Sequence, residues 1–101
     1  AKRDADYVRP KGPGHPHHAV AVTNAAAGST TIVEVRAHDQ PGLLHRVTQA
    51  IAAADATILG AKVSTLGSDA VDVFFVETVG GARLSDAQMA ALRVTVLAAL
   101  D

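Results

Sequence analysis

The sequence predicts an α+β fold, a two-layer sandwich in which two helices cover one face of a four-stranded antiparallel sheet, in the order ββαββα. Three observations predict it. A β-branched run around residues 31–35 gives way, across Asp39-Gln40-Pro41-Gly42, to apolar positions at helical spacing. Two further strand-like runs are separated by Gly67-Ser68, a two-residue hairpin signal. Ser85-Asp86-Ala87-Gln88 then opens a last amphipathic helix.

Taken in order, residues 1–18 hold three of the four prolines and three of the five histidines and show no apolar periodicity. Such a segment cannot bury a core, so a flexible linker is expected over 1–18 and the folded domain over 19–101. His15, His17 and His18 lack the neighbouring carboxylates or thiolates that would close a coordination set, and no metal site is expected. Val20-Ala21-Val22 alternates weakly and pairs, across the loop 24–29, with a strand over 30–37. In that strand Thr31, Val33, Val35 and Ala37 share the inward face, and Ile32, Glu34 and Arg36 the outward one.

Leu43, Leu44, Val47, Ile51 and Ala54 then mark a helix over 42–54. Strands are expected over 57–66 and 71–78; the second is apolar on nearly both faces and belongs inside the sheet. Gly80-Gly81 stops it. Ser85 and Gln88 satisfy each other's backbone donors as a capping box, and Met89, Leu92, Val96 and Leu100 give the final helix its core stripe. A ferredoxin-like βαββαβ sandwich would carry a strand after this helix; here the N-terminal strand takes that edge. The expected spatial order is N-terminal strand, 30–37 strand, 71–78 strand, 57–66 strand.

At 101 residues, 49% hydrophobic and 19% charged, the chain suits one domain with a small core that a partner domain would help to stabilise. A net charge of −1 lacks the excess of Lys and Arg that phosphate binding needs, which argues against a nucleic-acid partner. With no cysteine there is neither a disulfide framework nor a thiolate metal centre, and no apolar run is long enough for a membrane, so a cytoplasmic location is expected. The first residue is Ala1 rather than Met, and the chain is expected to be cut from a longer protein.

The chemistry concentrates at the 39–44 turn. Pro41 fixes φ and needs no donor, which suits the first turn of a helix, and Gly42 allows another group close to the backbone. The amides that follow stand at the positive end of the helix dipole, where they can hold a carboxylate. Asp39 is placed either to cap the helix or to hold an ammonium group. An amino acid carries both charges. His38-Asp39 matches the doublet of metal-dependent phosphohydrolases, but those sites need further ligands converging from a helical bundle. His45 reads as a surface residue near the mouth of the site. No catalytic residue is expected, since neither a framed nucleophile nor a phosphate-binding glycine loop is present.

With residues 39–44, Lys62-Val63-Ser64-Thr65-Leu66-Gly67 and Val71-Asp72-Val73-Phe74-Phe75-Val76 on one fold, the chain resembles an ACT domain. The run Glu34-Val35-Arg36-Ala37-His38-Asp39-Gln40-Pro41-Gly42-Leu43-Leu44 makes it most similar to the last ACT domain of the uridylyltransferase/uridylyl-removing enzymes that modify the nitrogen-signal protein PII. The resemblance implies a regulatory module that binds an amino acid, glutamine in that branch, and pairs with another ACT domain in cis or as a homodimer. PII would be met through the parent chain. The implied site has Asp39, Gln40, Pro41, Gly42, Leu43 and Leu44 as one wall and Ile58, Leu59, Gly60 and Ala61 as the other, with Gly60 leaving room for the ligand. No cofactor is implied here; Mg2+ and a nucleoside triphosphate belong to other domains of such parents. The family pattern commonly has arginine where this chain has Gln40, which leaves a bound carboxylate to the helix amides. The competing expectations are a structural pairing module without ligand, docking through its sheet edge or its Ile32 and Glu34 face, and an ACT regulatory domain of another enzyme of amino-acid metabolism.

Overall fold

A computed structural model describes residues 18–100. The linker expected over 1–18 therefore lies, except for His18, outside the described residues. The elements are β1 (Ala19–Asn24), β2 (Thr31–His38), α1 (Leu43–Ala53), β3 (Ala56–Leu66), β4 (Asp69–Thr78) and α2 (Asp86–Leu100). Every expected element is present, with ends moved by a residue or two. β1 is the most extended relative to expectation, because its ladder with β2 runs from Ala19 opposite Arg36 to Asn24 opposite Thr31.

The sheet order is β1-β2-β4-β3, all neighbours antiparallel. This is the order the sequence predicts. The β2–α1–β3 crossover thus joins two strands that run the same way with β4 between them, a split βαβ unit. β4 takes the interior because it is apolar on both faces. Its Ala70, Asp72, Phe74 and Val76 are buried, while Val71, Val73 and Phe75 are half-buried on the open face. In β2 the alternation holds: Thr31, Val33, Val35 and Ala37 are buried.

Both helices pack on that buried face. Leu43, Val47, Ala50 and Ile51 of α1 and Leu92, Val96 and Leu100 of α2 close one core with Val33, Val35, Phe74 and Val76, and Met89 packs against its margin. Each fully buried large apolar side chain contributes roughly 1.5–3 kcal/mol. α2 is also tied to the sheet edge by Arg93 Nε, which donates to the Val20 carbonyl at 3.0 Å.

Local signals act as expected at the second hairpin and at α2. Gly67 adopts φ 61°, the positive sign that primed hairpin turns demand at that position, and Leu66 faces Asp69 across the turn. Ser85 N donates to Gln88 Oε1 at 2.7 Å and Gln88 N to Ser85 Oγ at 3.1 Å, completing the capping box. Just before it, Thr31 Oγ1 donates to Asn24 Oδ1 at 2.6 Å and accepts from Leu84 N at 3.1 Å, while Asn24 Nδ2 donates to the Leu84 carbonyl at 3.2 Å. One end of the sandwich is therefore closed by a polar knot. β3 carries a bulge not foreseen in the sequence: the register shifts between Ile58 and Gly60, leaving Leu59 without a ladder partner and half exposed.

Candidate ligand cleft at the start of the first helix

At the opposite end of the sandwich, β2 runs out at His38 and the chain turns into α1. Asp39 N donates to the Ser68 carbonyl at 2.8 Å, which fixes the turn against the β3–β4 hairpin. Leu43 N donates to the Gln40 carbonyl at 3.2 Å around Pro41-Gly42, and Gly42 sits at φ 78°, ψ 0°. Proline second and a left-handed glycine third is the arrangement of a type II turn. It answers why this sequence stops the strand and starts the helix within four residues.

The turn revises two expectations about its own chemistry. Helix α1 begins at Leu43, with Gly42 as N-cap and no side-chain cap bond. Asp39 does not cap it, because the turn places Asp39 three residues before the N-cap position, and its side chain lines the adjacent cleft instead. Of the amides expected to be free, that of Leu43 is spent on Gln40. Those of Gly42, Leu44 and His45 make no backbone hydrogen bond, and Arg46 N to the Gly42 carbonyl, at 3.0 Å, begins the helical ladder.

These groups border a cleft of about 560 Å³ between the start of α1 and the β3–β4 hairpin. Asp39, Gln40, Gly42, Leu43, Leu44, His45 and Thr48 line one side, and Val63, Thr65, Ala70 and Asp72 the other. Of the site residues implied by the resemblance, Asp39, Gln40, Gly42, Leu43 and Leu44 line this cleft, whereas Pro41 forms the turn without lining it. Ile58, Leu59, Gly60 and Ala61 do not line it. The reason is register: the β4 residues at cleft level are Ala70 and Asp72, and their β3 partners are Thr65 and Val63. Ile58 and Ala61 pair with Val76 and Phe74, farther along the sheet. Gly60 lies opposite Phe75 on the open face, where an added Cβ would come within ordinary contact, 4.0 Å, of that ring. His45 is exposed at the cleft, as expected.

Asp72 is the residue that sequence reasoning passed over. It is 2% exposed, on the core face of β4 between Ala70 and Phe74, and its Oδ1 is buried with no hydrogen-bond partner. Burial, and after it the nearby charge of Asp39, raises its carboxyl above the ordinary aspartate value. The signal was available: period-two counting places this lone acid on the same face as Phe74 and Val76. The lining holds the acids Asp39 and Asp72 and the imidazole of His45, and neither lysine nor arginine. Chemically, one wall offers amide donors at a helix N-terminus beside the Asp39 carboxylate, and the other offers the Asp72 carboxylate among apolar neighbours.

Comparison with known proteins agrees with the architecture. The ACT domain family model matches residues 31–94. A bifunctional uridylyltransferase/uridylyl-removing enzyme of Streptomyces coelicolor is 47% identical over 76 residues, covering 75% of this chain and 9% of that protein. Its counterpart in Gluconobacter oxydans is 43% identical over 82 residues, covering 80% of this chain and 9% of that one. The enzyme of Azospirillum brasilense is 35% identical over 100 residues, covering 98% and 11%. The chain thus spans about a tenth of the length of the curated relatives it matches. Among solved structures, a chain described as an unknown protein from Galdieria sulphuraria superposes with a TM-score of 0.54 at 20% identity, over 67% of this chain and 39% of that one, a likeness of fold alone.

Proposed function

The chain belongs to the ACT domain family, and from that premise we propose that it is a regulatory module whose cleft binds a free amino acid, glutamine foremost. The observation that carries this reading is the opposed polarity of the cleft. Unspent amides of Gly42, Leu44 and His45 suit a carboxylate, and Asp39 and Asp72 suit an ammonium group. The relatives named as uridylyltransferase/uridylyl-removing enzymes support a parent that adds and removes a uridylyl group; in this proposal the protein substrate of that parent is PII and its signal is nitrogen status. Mg2+ and a nucleoside triphosphate would serve the catalytic domains of such a parent. No described helix is long and apolar enough to cross a membrane, and the reading places the module in the cytoplasm.

Occupancy can be transmitted only if the amino acid binds one domain arrangement better than another. The β3 edge supports a neighbour: Leu59, Val63 and Leu66 are 52%, 58% and 60% exposed along a strand whose outer edge has no partner among the described residues. A second ACT domain, in cis or as a homodimer, would cover this edge and shelter the Val63 side of the cleft. The same edge supports the competing reading, a pairing module without ligand.

Thermal unfolding of the chain with L-glutamine, L-glutamate, L-asparagine or L-serine separates the two. A bound effector at about 100 times its dissociation constant adds about 2.7 kcal/mol of stability. Glutamine-selective stabilisation is the expected result. Dimers in sedimentation with no thermal response to any of the four would establish the pairing module instead.

A further inference from the structure

A carboxylate enclosed by a hydrophobic core is normally paired, and Asp72 is not. No hydrogen bond of its side chain is present, although it is 2% exposed and lines the cleft. Its cross-strand neighbours on the same face are Val35 and Val63, which offer no donor. Nor does it serve α1, whose first turn has no side-chain cap. The lining holds no lysine or arginine, so no cationic guanidinium or ammonium of the protein neutralises Asp72 there.

We propose that Asp72 receives the α-ammonium group of the bound amino acid, so that the cleft selects a free amine over the corresponding acid that lacks it. This rests on the amino-acid-binding reading above and adds to it the source of selectivity. An ammonium carries three donors, enough to engage the Asp72 carboxylate where it borders the cleft and to reach Asp39 on the facing wall. The ligand carboxylate then lies toward the free amides at the start of α1. The division of labour has a consequence for specificity: helix amides accept any carboxylic acid, whereas a buried, unpaired acid rejects a ligand that cannot neutralise it.

The test is calorimetric titration of the chain with L-glutamine, L-glutamate, L-asparagine and L-serine, each beside the acid lacking only the amine: glutaramic, glutaric, succinamic and 3-hydroxypropanoic acid. The wild type is expected to prefer the best-bound amino acid over its desamino partner by about tenfold to a hundredfold, the range of a charged hydrogen bond. Asp72→Asn should weaken the amino acid by a similar factor without weakening the desamino acid, so that the preference collapses. Amino-acid binding by Asp72→Asn at wild-type strength and with wild-type preference would overturn the assignment while leaving the amino-acid reading intact. Failure of the wild type to bind any of the four amino acids would overturn both. A second measurement needs no variant: the 13C signal of the Asp72 carboxyl, followed against pH, should show its titration moving to lower pH when the amino acid saturates the site. An unmoved titration in the saturated complex would also overturn the assignment.

Discussion

The two ends of the sandwich are built from similar parts and finished differently. At the end where β1 turns into β2, buried Thr31 both donates and accepts, Asn24 and Leu84 complete the set, and α2 starts on a reciprocal Ser85–Gln88 cap. At the other end, buried Asp72 has no partner and α1 starts on Gly42 with no side-chain cap. Thr31 and Asp72 are the two buried polar residues of the domain among those described, and they differ in whether the protein itself satisfies them. The contrast is between a buried polar group whose bonds the protein makes itself, which holds the fold together, and one bordering a cleft whose bond the protein leaves unmade.

The largest effect expected from breaking this contrast is at the closed end. Thr31→Val keeps the shape and removes the hydroxyl, leaving Asn24 Oδ1 and Leu84 N unpaired; it should cost about 2 kcal/mol and lower Tm by roughly 10 °C, read by thermal or urea unfolding. At the open end the sign reverses. Asp72→Asn removes a buried charge and should stabilise the ligand-free domain by about 1 kcal/mol near neutral pH. A loss of stability comparable to that of Thr31→Val would mean that Asp72 is structural.

The pH dependence sharpens the same comparison. The folded Asp72 carboxyl titrates above its ordinary value of 3.8, so between the two values the folded chain holds a proton that the unfolded chain has lost. Stability from this group is therefore fully present below 3.8 and falls as pH rises through the raised value. The advantage of Asp72→Asn should shrink steadily as the solution is acidified across that window. An advantage independent of pH would contradict the assigned burial cost.

Two smaller effects compare the helix starts. Gly42→Ala meets nothing within 4 Å, so its cost, about 1 kcal/mol, is the left-handed φ of 78° alone; because the free amides hang on this turn, it should weaken glutamine binding as well. Ser85→Ala breaks the α2 cap, should cost about 0.5–1 kcal/mol and should leave ligand binding unchanged.

Much of this architecture was legible in the sequence because it is written in local periodicity. The alternation in β2, the all-apolar β4 and the Ser85–Gln88 spacing determine faces, strand order and a helix start without reference to the rest of the fold. The 39–44 turn was legible as the passage from strand to helix for the same reason. What the sequence left unread depends on register between distant strands. The bulge at Leu59 and the pairing of Val63 and Thr65 with Asp72 and Ala70 decide which part of β3 faces α1, and neither has a local signature. Asp72 itself was visible by counting in twos, but that its carboxyl goes unpaired depends on what neighbouring strands bring to it.

The most direct test of the cleft as an amino-acid site is a backbone amide titration of the chain with L-glutamine. Saturable shifts at Asp39, Gly42, Leu44, His45, Val63, Thr65 and Asp72, with Thr31 and Ser85 quiet, are the predicted result. Shifts concentrated around Thr31, Leu84 and Ser85, or no shift at the cleft at saturating glutamine, would contradict it.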